Sequence, residues 1–523
     1  MRLKFLSITI LLISLNSFAQ QFKVTWKDPV LSNTSKHFLP CSDGGFLCLI
    51  EENTDKRGKI NPVLYKYDKD LQLVNHRSFE ADNDGYKFYG IKKMKNNVLM
   101  FISNYDKETK NTSYFVIVID ENTLQMQGSP VEITEIAKKS DMNLAISPSL
   151  ETDKDILSQG IVLSKDSTKF LFFGEIEPTL FGGNIEKYLL VAFDYTGKKL
   201  YEKEISTNYK LSTSQLIDYY INNDGKSSII FRYYKGGISE DKDNKSQLKM
   251  ITVDASSPTT ITTDEDIFNN GKRVYDMKYA YEDNNEILLF ARVRTVGAGM
   301  VGRWHYSHFI LYSVNKMTNK VAVKKEYEYP QELLDQLDID DKGKKSGESK
   351  GIGAFELQKV LTRENGSIDF LLWIQFVYYG QNGGQKYFIG GALDINYSKN
   401  GKVVVTRIPF EKNNFDGFYS ETNCFVKNNQ LYIFYNDLKE NIEQDLKKKP
   451  SLLKGSYKKS YLSVSIVDSN GELTRKVIYA NEGLPGNLIT DGLLLRLNEN
   501  KLLLKADGVL ESKFKYMLGT LEF

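Results

Sequence analysis

Residues 461–480 read YLSVSIVDSNGELTRKVIYA, two apolar runs joined by Asp468-Ser469-Asn470-Gly471. Asn and Gly tolerate the positive φ of a tight turn, and an Asp carboxylate can bond its own backbone, so the segment predicts a β-hairpin. The same pattern recurs in VLYKYDKDLQLV (63–74), YFVIVIDENTLQM (114–126), YLLVAFDYTGKKLYEKEI (188–205), LKMITVDASSPTTI (248–261), FILYSVNKMTNKVAV (309–323) and FIGGALDINYSKNGKVVV (388–405). Its marker residues are Asp68, Asp120, Asp194, Asp254, Asn315, Asp394 and Asp468.

A second hairpin alternates with the first. It appears as HFLPCSDGGFLCLI (37–50), YGIKKMKNNVLMFI (89–102), GIVLSKDSTKFLFF (160–173) and DYYINNDGKSSIIF (218–231). Further copies are MKYAYEDNNEILLF (277–290), LQKVLTRENGSIDFLLWI (357–374), CFVKNNQLYIFY (424–435) and LLLRLNENKLLLK (493–505). Each repeat therefore supplies four strands, A to D.

Strand chemistry selects the architecture. FLLWI (370–374) and YLLVAF (188–193) are apolar on both faces, as in strands covered on both sides. Four-stranded sheets stacked face to face around an axis meet that demand, which is a β-propeller. Eight A–B hairpins predict eight blades, with seven as the alternative if one repeat is an appendage. The eighth repeat ends in KFKYMLGTLEF (513–523), a C strand with no chain left for D. QFKVTW (21–26) is an orphan strand that can fill that place and close the ring. An outer-membrane barrel would alternate lipid-facing apolar and lumen-facing polar residues, and the doubly apolar strands do not.

Residues 1–19 read as a signal peptide. Arg2 and Lys4 precede an apolar run, Phe5–Leu15, and Ser17 and Ala19 are the small residues of a cleavage site. The run is too short for a permanent membrane span, and Cys41 is too distant to carry a lipid anchor. The expected product, residues 20–523, is exported to the periplasm or cell surface. Without the leader it has 67 basic and 67 acidic residues. That balance argues against nucleic acid or an anionic membrane as partner. Loop insertions are expected at 139–155, 233–247, 331–353 and 438–458, with short helices at 331–337 and 438–447.

Candidate sites are few. Cys41 and Cys48 flank a turn at Gly44-Gly45 that would set them opposite one another, a possible disulfide in an oxidising compartment. His305 and His308 are three apart, so on a strand they would face opposite ways and share no metal. Arg303 and Trp304, in a Gly-rich stretch, could offer a cation and an aromatic face to a ligand. Segment 337–348 resembles a calcium loop, but Lys342 stands at a ligand place and Glu348 is one residue early. No cofactor motif and no metal site are expected.

A strands line a propeller's channel. Asp218, Asp276, Glu356, Glu421 and Asp491 lie near the starts of five of them, where repeats 2 and 3 have Gly90 and Gly160. Five carboxylates at one mouth would favour a cation or a basic group of a partner.

ALDINYSKNGKVVVTRIPFEK, LYIFYNDLKEN and LSVSIVDSNGELTRKVIY resemble uncharacterised exported propeller-like proteins of Bacteroidota, mainly over residues 350–523. The resemblance implies the same fold and export, and it brings no catalytic residues. The sequence therefore points to a non-enzymatic binding or scaffold propeller, recognising a protein, peptide or glycan at a channel mouth or loop face. The alternative is a hydrolase or lyase acting on extracellular polysaccharide through channel carboxylates.

Overall fold

The computed structural model describes residues 22–27, 31–32, 35–53, 60–79, 86–137, 160–176, 185–210, 213–234, 246–256, 259–262, 272–282, 286–295, 305–315 and 318. In the second half it describes 321–329, 353–379, 385–410, 412–414, 423–444, 450–451, 460–480, 486–489, 495–510 and 513–523. Segments 1–19, 139–155 and 331–352, Arg303, Trp304, Glu421 and Asp491 lie outside the described residues, as does the calcium-like stretch at 337–348.

Strands pair antiparallel in eight sheets, each read A-B-C-D along the chain. Blade 1 spans residues 35–78, blade 2 86–137, blade 3 161–210, blade 4 214–262 and blade 5 272–328. Blade 6 spans 353–408, blade 7 423–480 and blade 8 486–522. The fourth strand of blade 8 is Lys23–Trp26, which pairs with Lys513–Glu522, Lys23 opposite Glu522 and Trp26 opposite Gly519. The orphan strand closes the ring as its sequence predicts. Gly519 has no room for a Cβ, because the Trp26 ring and the Thr25 carbonyl lie against it. The protein is an eight-bladed β-propeller.

The doubly apolar strands explain why the blades stack. In blade 6, Phe370, Leu372 and Ile374 pack toward blade 5, and Leu371 and Trp373 toward blade 7. In blade 3, Phe170 and Phe172 face blade 2, and Leu171 and Phe173 face blade 4. Eight such clusters fill the eight seams of the ring, so the core is divided among interfaces rather than gathered in one layer.

The marker residues act as turn staples. Asp68 accepts hydrogen bonds from the amides of Asp70 and Gln72 at 2.9 and 2.8 Å, and Asp468 accepts from Asn470 and Glu472, both at 2.8 Å. Asp394 is different. Strand C of blade 6 runs on through Tyr397, and its turn is Ser398–Lys402, closed by Ser398 N–H donating to the Lys402 carbonyl at 3.0 Å. Asp394 is thereby a buried strand residue and not a turn marker, which corrects its reading as a repeat marker.

Tight turns and long connections separate onto two faces. The A–B turns have two to five residues and the C–D turns are similarly short, apart from 121–130 in blade 2. Long connections such as 138–160, 235–245, 329–352 and 438–460 join B to C or D to A, on the other face. Of the expected insertion at 233–247, residues 233–234 and 246–247 are strand. The expected helix at 438–447 is seen as Lys439–Glu443, and residues 445–449 lie outside the described residues.

Candidate functional site

Three blades meet at the turn-side mouth of the channel around a cleft of about 390 Å³. Blade 1 contributes Pro40, Cys41 and Ser42, blade 2 Lys93, and blade 8 Arg496, Leu497, Asn498 and Glu499. All eight residues belong to the ends of A strands or their turns. The hairpin geometry that closes each blade is therefore what delivers them to the axis.

Charges behind the cleft are paired. Lys66 Nζ lies 2.9 Å from Asp43 Oδ2 and donates to Asn122 Oδ1 at 2.9 Å. Lys93 is in contact with the fully buried Glu121, which also accepts the Ser42 amide and the Ser42 hydroxyl. Glu121 belongs to the C–D turn of blade 2, so its carboxylate ties that turn to the A–B turn of blade 1. Burial pushes the Asp43 carboxyl up, but the Lys66 and Gly45 hydrogen bonds outweigh it and leave it below the usual carboxylate range. Burial pulls the Lys93 ammonium down to about 8, against the opposing pull of Cys41, Asp43 and Asp120.

Cys41, Asp43 and Glu121 each offer a ligand atom within 4.8 Å of the others, which is a metal-binding donor set. Two ammonium groups already neutralise the two carboxylates, however. Burial, followed by the charge of Asp43, pushes the Cys41 thiol up to about 11, so it stays protonated near neutral pH and is a poor ligand. A divalent metal would have to displace Lys66 or Lys93.

Elsewhere the mouth is laced across. Arg496 donates from Nη1 to the Val426 carbonyl of blade 7 at 3.2 Å, and its guanidinium lies 4.9 Å from the centre of the Phe425 ring. Lys427 donates to Asn500 Oδ1 of blade 8 at 2.7 Å. Lys165 of blade 3 donates to the Thr362 hydroxyl of blade 6 at 3.2 Å, although those blades are not neighbours in the ring. That bond spans the turn-side mouth and leaves the cleft on the side of blades 8, 1 and 2.

Of the acids expected along the channel, Asp218 and Asp276 stand at strand positions nearer the opposite face than the cleft residues do. Asp218 and Asp276 each follow a β-bulge, Leu216/Asp218 in blade 4 and Val274/Asp276 in blade 5, as Gly90 does in blade 2. Asp276 stands opposite Arg292 in register, and Asp218 accepts the Tyr219 amide at 3.0 Å. Glu356 does not share that position. In blade 6 the residue after the bulge is Lys359, which puts a cation where the repeat suggested an acid.

Two local readings are corrected. The A–B turn of blade 1 is five residues long, Cys41 N–H donating to the Gly45 carbonyl at 2.9 Å, so Cys48 pairs with Phe38 and not with Cys41. Neither cysteine is in a disulfide, and the two are buried on opposite faces of the blade, Cys41 toward blade 2 and Cys48 toward blade 8. A bulge between Tyr306 and His308 cancels the odd histidine spacing, so His305 and His308 stand opposite Thr295 and Val293, two residues apart on one partner strand. His308 bonds Glu328 Oε1 at 2.7 Å and is thereby tied to its neighbouring strand.

No family model matches the chain, and no curated protein matches it. Among solved structures it is similar to the β-propeller domain of the Trilobed protease from Pyrococcus furiosus, at 12% identity and TM-score 0.33, over 89% of this chain and 99% of that one. Similarity to Pyrococcus horikoshii acylaminoacyl peptidase covers 92% of this chain and 58% of that one, at 9% identity and TM-score 0.33. Prolyl oligopeptidase B from Galerina marginata is matched over 77% and 55%, at 10% identity and TM-score 0.33. The chain thus spans little more than half of each of those two peptidases, and likeness at this level transfers no activity.

Proposed function

We propose that the protein is an exported, non-enzymatic binding propeller that takes a protein, peptide or glycan ligand at the turn-side channel mouth. Export rests on the leader read at residues 1–19. One observation carries the binding role: the cleft between blades 8, 1 and 2 is walled by side chains already fixed by partners. Lys93 is committed to Glu121, Arg496 to a backbone carbonyl, and Cys41 to its thiol form. Such a wall presents oriented donors beside the apolar surface of Pro40 and Leu497, which suits recognition of a polar polymer or peptide.

Filling the cleft tests this reading. Glu499→Trp places an indole at the exposed rim without touching the ion pairs behind it. Residues 20–523 and this variant would be compared on peptide and glycan arrays. Ligands retained by the wild type are expected to lose at least about tenfold in affinity, which corresponds to about 1.4 kcal/mol. Equal retention by both proteins would remove the cleft as the site.

A second reading has its own observation. Asp218 and Asp276 follow equivalent bulges in adjacent blades, and glycoside hydrolysis uses two carboxylates. Polysaccharide turnover that is abolished in Asp218→Asn/Asp276→Asn would replace the binding role with catalysis. Unchanged or absent turnover would leave the binding role standing.

A further inference from the structure

The turn-side end of the seam between blades 6 and 7 holds three ionisable side chains closed off from water. Arg363 comes from the A–B turn of blade 6, Asp369 from strand B and Asp394 from strand C, and none is more than 1% exposed. Arg363 donates from Nε to Asp369 Oδ2 at 2.7 Å and from Nη1 to the Asn429 carbonyl of blade 7 at 2.7 Å. Asn396 donates to Asp369 Oδ1 at 2.6 Å, so both oxygens of Asp369 are satisfied.

Asp394 is not so served. Its Oδ2 lies 3.5 Å from Arg363 Nη2, and among the described residues neither of its oxygens receives a hydrogen bond. One guanidinium cannot neutralise two carboxylates, and a net negative charge in a dry interface costs several kcal/mol. The remaining titratable neighbours do not supply the missing charge. The Cys424 thiol of blade 7 is pushed up to about 11, chiefly by burial, and Lys359 is exposed to solvent.

The place itself is a core position. Four residues before the C–D turn, where blade 6 has Asp394, blades 1, 3, 4 and 7 have Leu64, Leu190, Met250 and Val464, all buried. An acid can stand there cheaply only in its neutral form.

We propose that Asp394 is a carboxylic acid in the folded protein, donating its proton to Asp369, and that this proton locks blade 6 to blade 7. The charges then balance: Arg363 is positive, Asp369 negative and Asp394 neutral. The proton is taken up from solvent when the seam closes and is returned when the seam opens. Burial, then repulsion by Asp369, raises the Asp394 carboxyl well above the usual range, against the opposing pull of Arg363.

The sign of the linkage follows. Because the folded group holds its proton more tightly than the unfolded one, its contribution is complete below the ordinary aspartate range. It is lost as pH rises through the raised folded value. The seam is therefore weakened by alkali and not by mild acid.

Infrared spectroscopy of residues 20–523 reads the proton directly. At neutral pH the wild type is expected to show a protonated-carboxyl C=O band that is missing in Asp394→Asn. Thermal unfolding between about pH 5 and 9 supplies the second readout. The wild-type Tm is expected to fall relative to that of Asp394→Asn as pH rises, because the amide donates to Asp369 at every pH. If Asp394→Asn does not fold, Asp394→Leu restores the residue type of blades 1 and 3 and takes its place in both measurements. Absence of the band in the wild type, or parallel Tm profiles for wild type and variant, would overturn the proposal.

Discussion

The seam between blades 1 and 2 and the seam between blades 6 and 7 solve the same problem in two ways. Between blades 1 and 2, two cations, Lys66 and Lys93, meet two anions, Asp43 and Glu121. Between blades 6 and 7, one cation, Arg363, meets two anions, Asp369 and Asp394. Depth explains the difference. Lys66 stands two residues before its C–D turn at Asp68 and meets Asp43, whose side chain is 47% exposed. Asp394 stands four residues before its turn, one layer further in, where the turn residue Arg363 comes only to 3.5 Å and is already bonded to Asp369. Near the turns a blade can borrow a counter-charge from its neighbour. One layer deeper, one guanidinium is shared by two acids, and the proposed proton supplies the remaining counter-charge.

Removing one cation at each seam should break this comparison most visibly. Arg363→Met leaves two acids facing each other without a guanidinium and deprives the Asn429 carbonyl of its donor. A loss of about 3–5 kcal/mol in denaturant unfolding is expected. Lys66→Met keeps the buried stem and frees Asp43 to hydrate, so the loss should be about 1–2 kcal/mol. Equal losses at the two seams would mean that depth does not set the cost.

Legibility in the sequence divides along the same line, local against distant. The turn acids Asp68, Asp194 and Asp468 each bond amides within four residues, so their spacing exposed the repeat and the repeat exposed the ring. The apolar strands were equally plain, because both faces of FLLWI are filled by neighbouring blades. The cleft was not legible. Ser42 and Glu121 are 79 residues apart, and Lys165 and Thr362 are 197 apart, so no window of sequence contains either pair. Asp394 was misread for a local reason. Leu-Asp at the end of an apolar run looks like a turn, and only the pairing of Ile395–Tyr397 with strands B and D shows that the strand continues. The cysteine and histidine readings failed on register, through a turn three residues longer than expected and a one-residue bulge, because register flips with every residue inserted.

The hairpin at 461–480 offers the smallest test and the cleanest control for the other two. Its turn is closed by Asp468 N–H donating to the Glu472 carbonyl at 3.1 Å, and the Asp468 carboxylate braces it through the amides of Asn470 and Glu472. Gly471 at φ 84° lies against Val404 and Thr406 of blade 6, and its carbonyl accepts from the Thr406 hydroxyl at 3.1 Å. The turn thus touches the same seam as Asp394, but from the wet side. Asp468→Ala removes a solvent-exposed brace whose amides can bond water instead, so the expected loss is about 0.5–1 kcal/mol. Because the brace lies at the solvent-facing turn and apart from the buried pair, that loss should stay constant from neutral to mildly alkaline pH. A loss that instead grew with pH would place the proton-sensitive element of the seam in its turn and not in the buried pair.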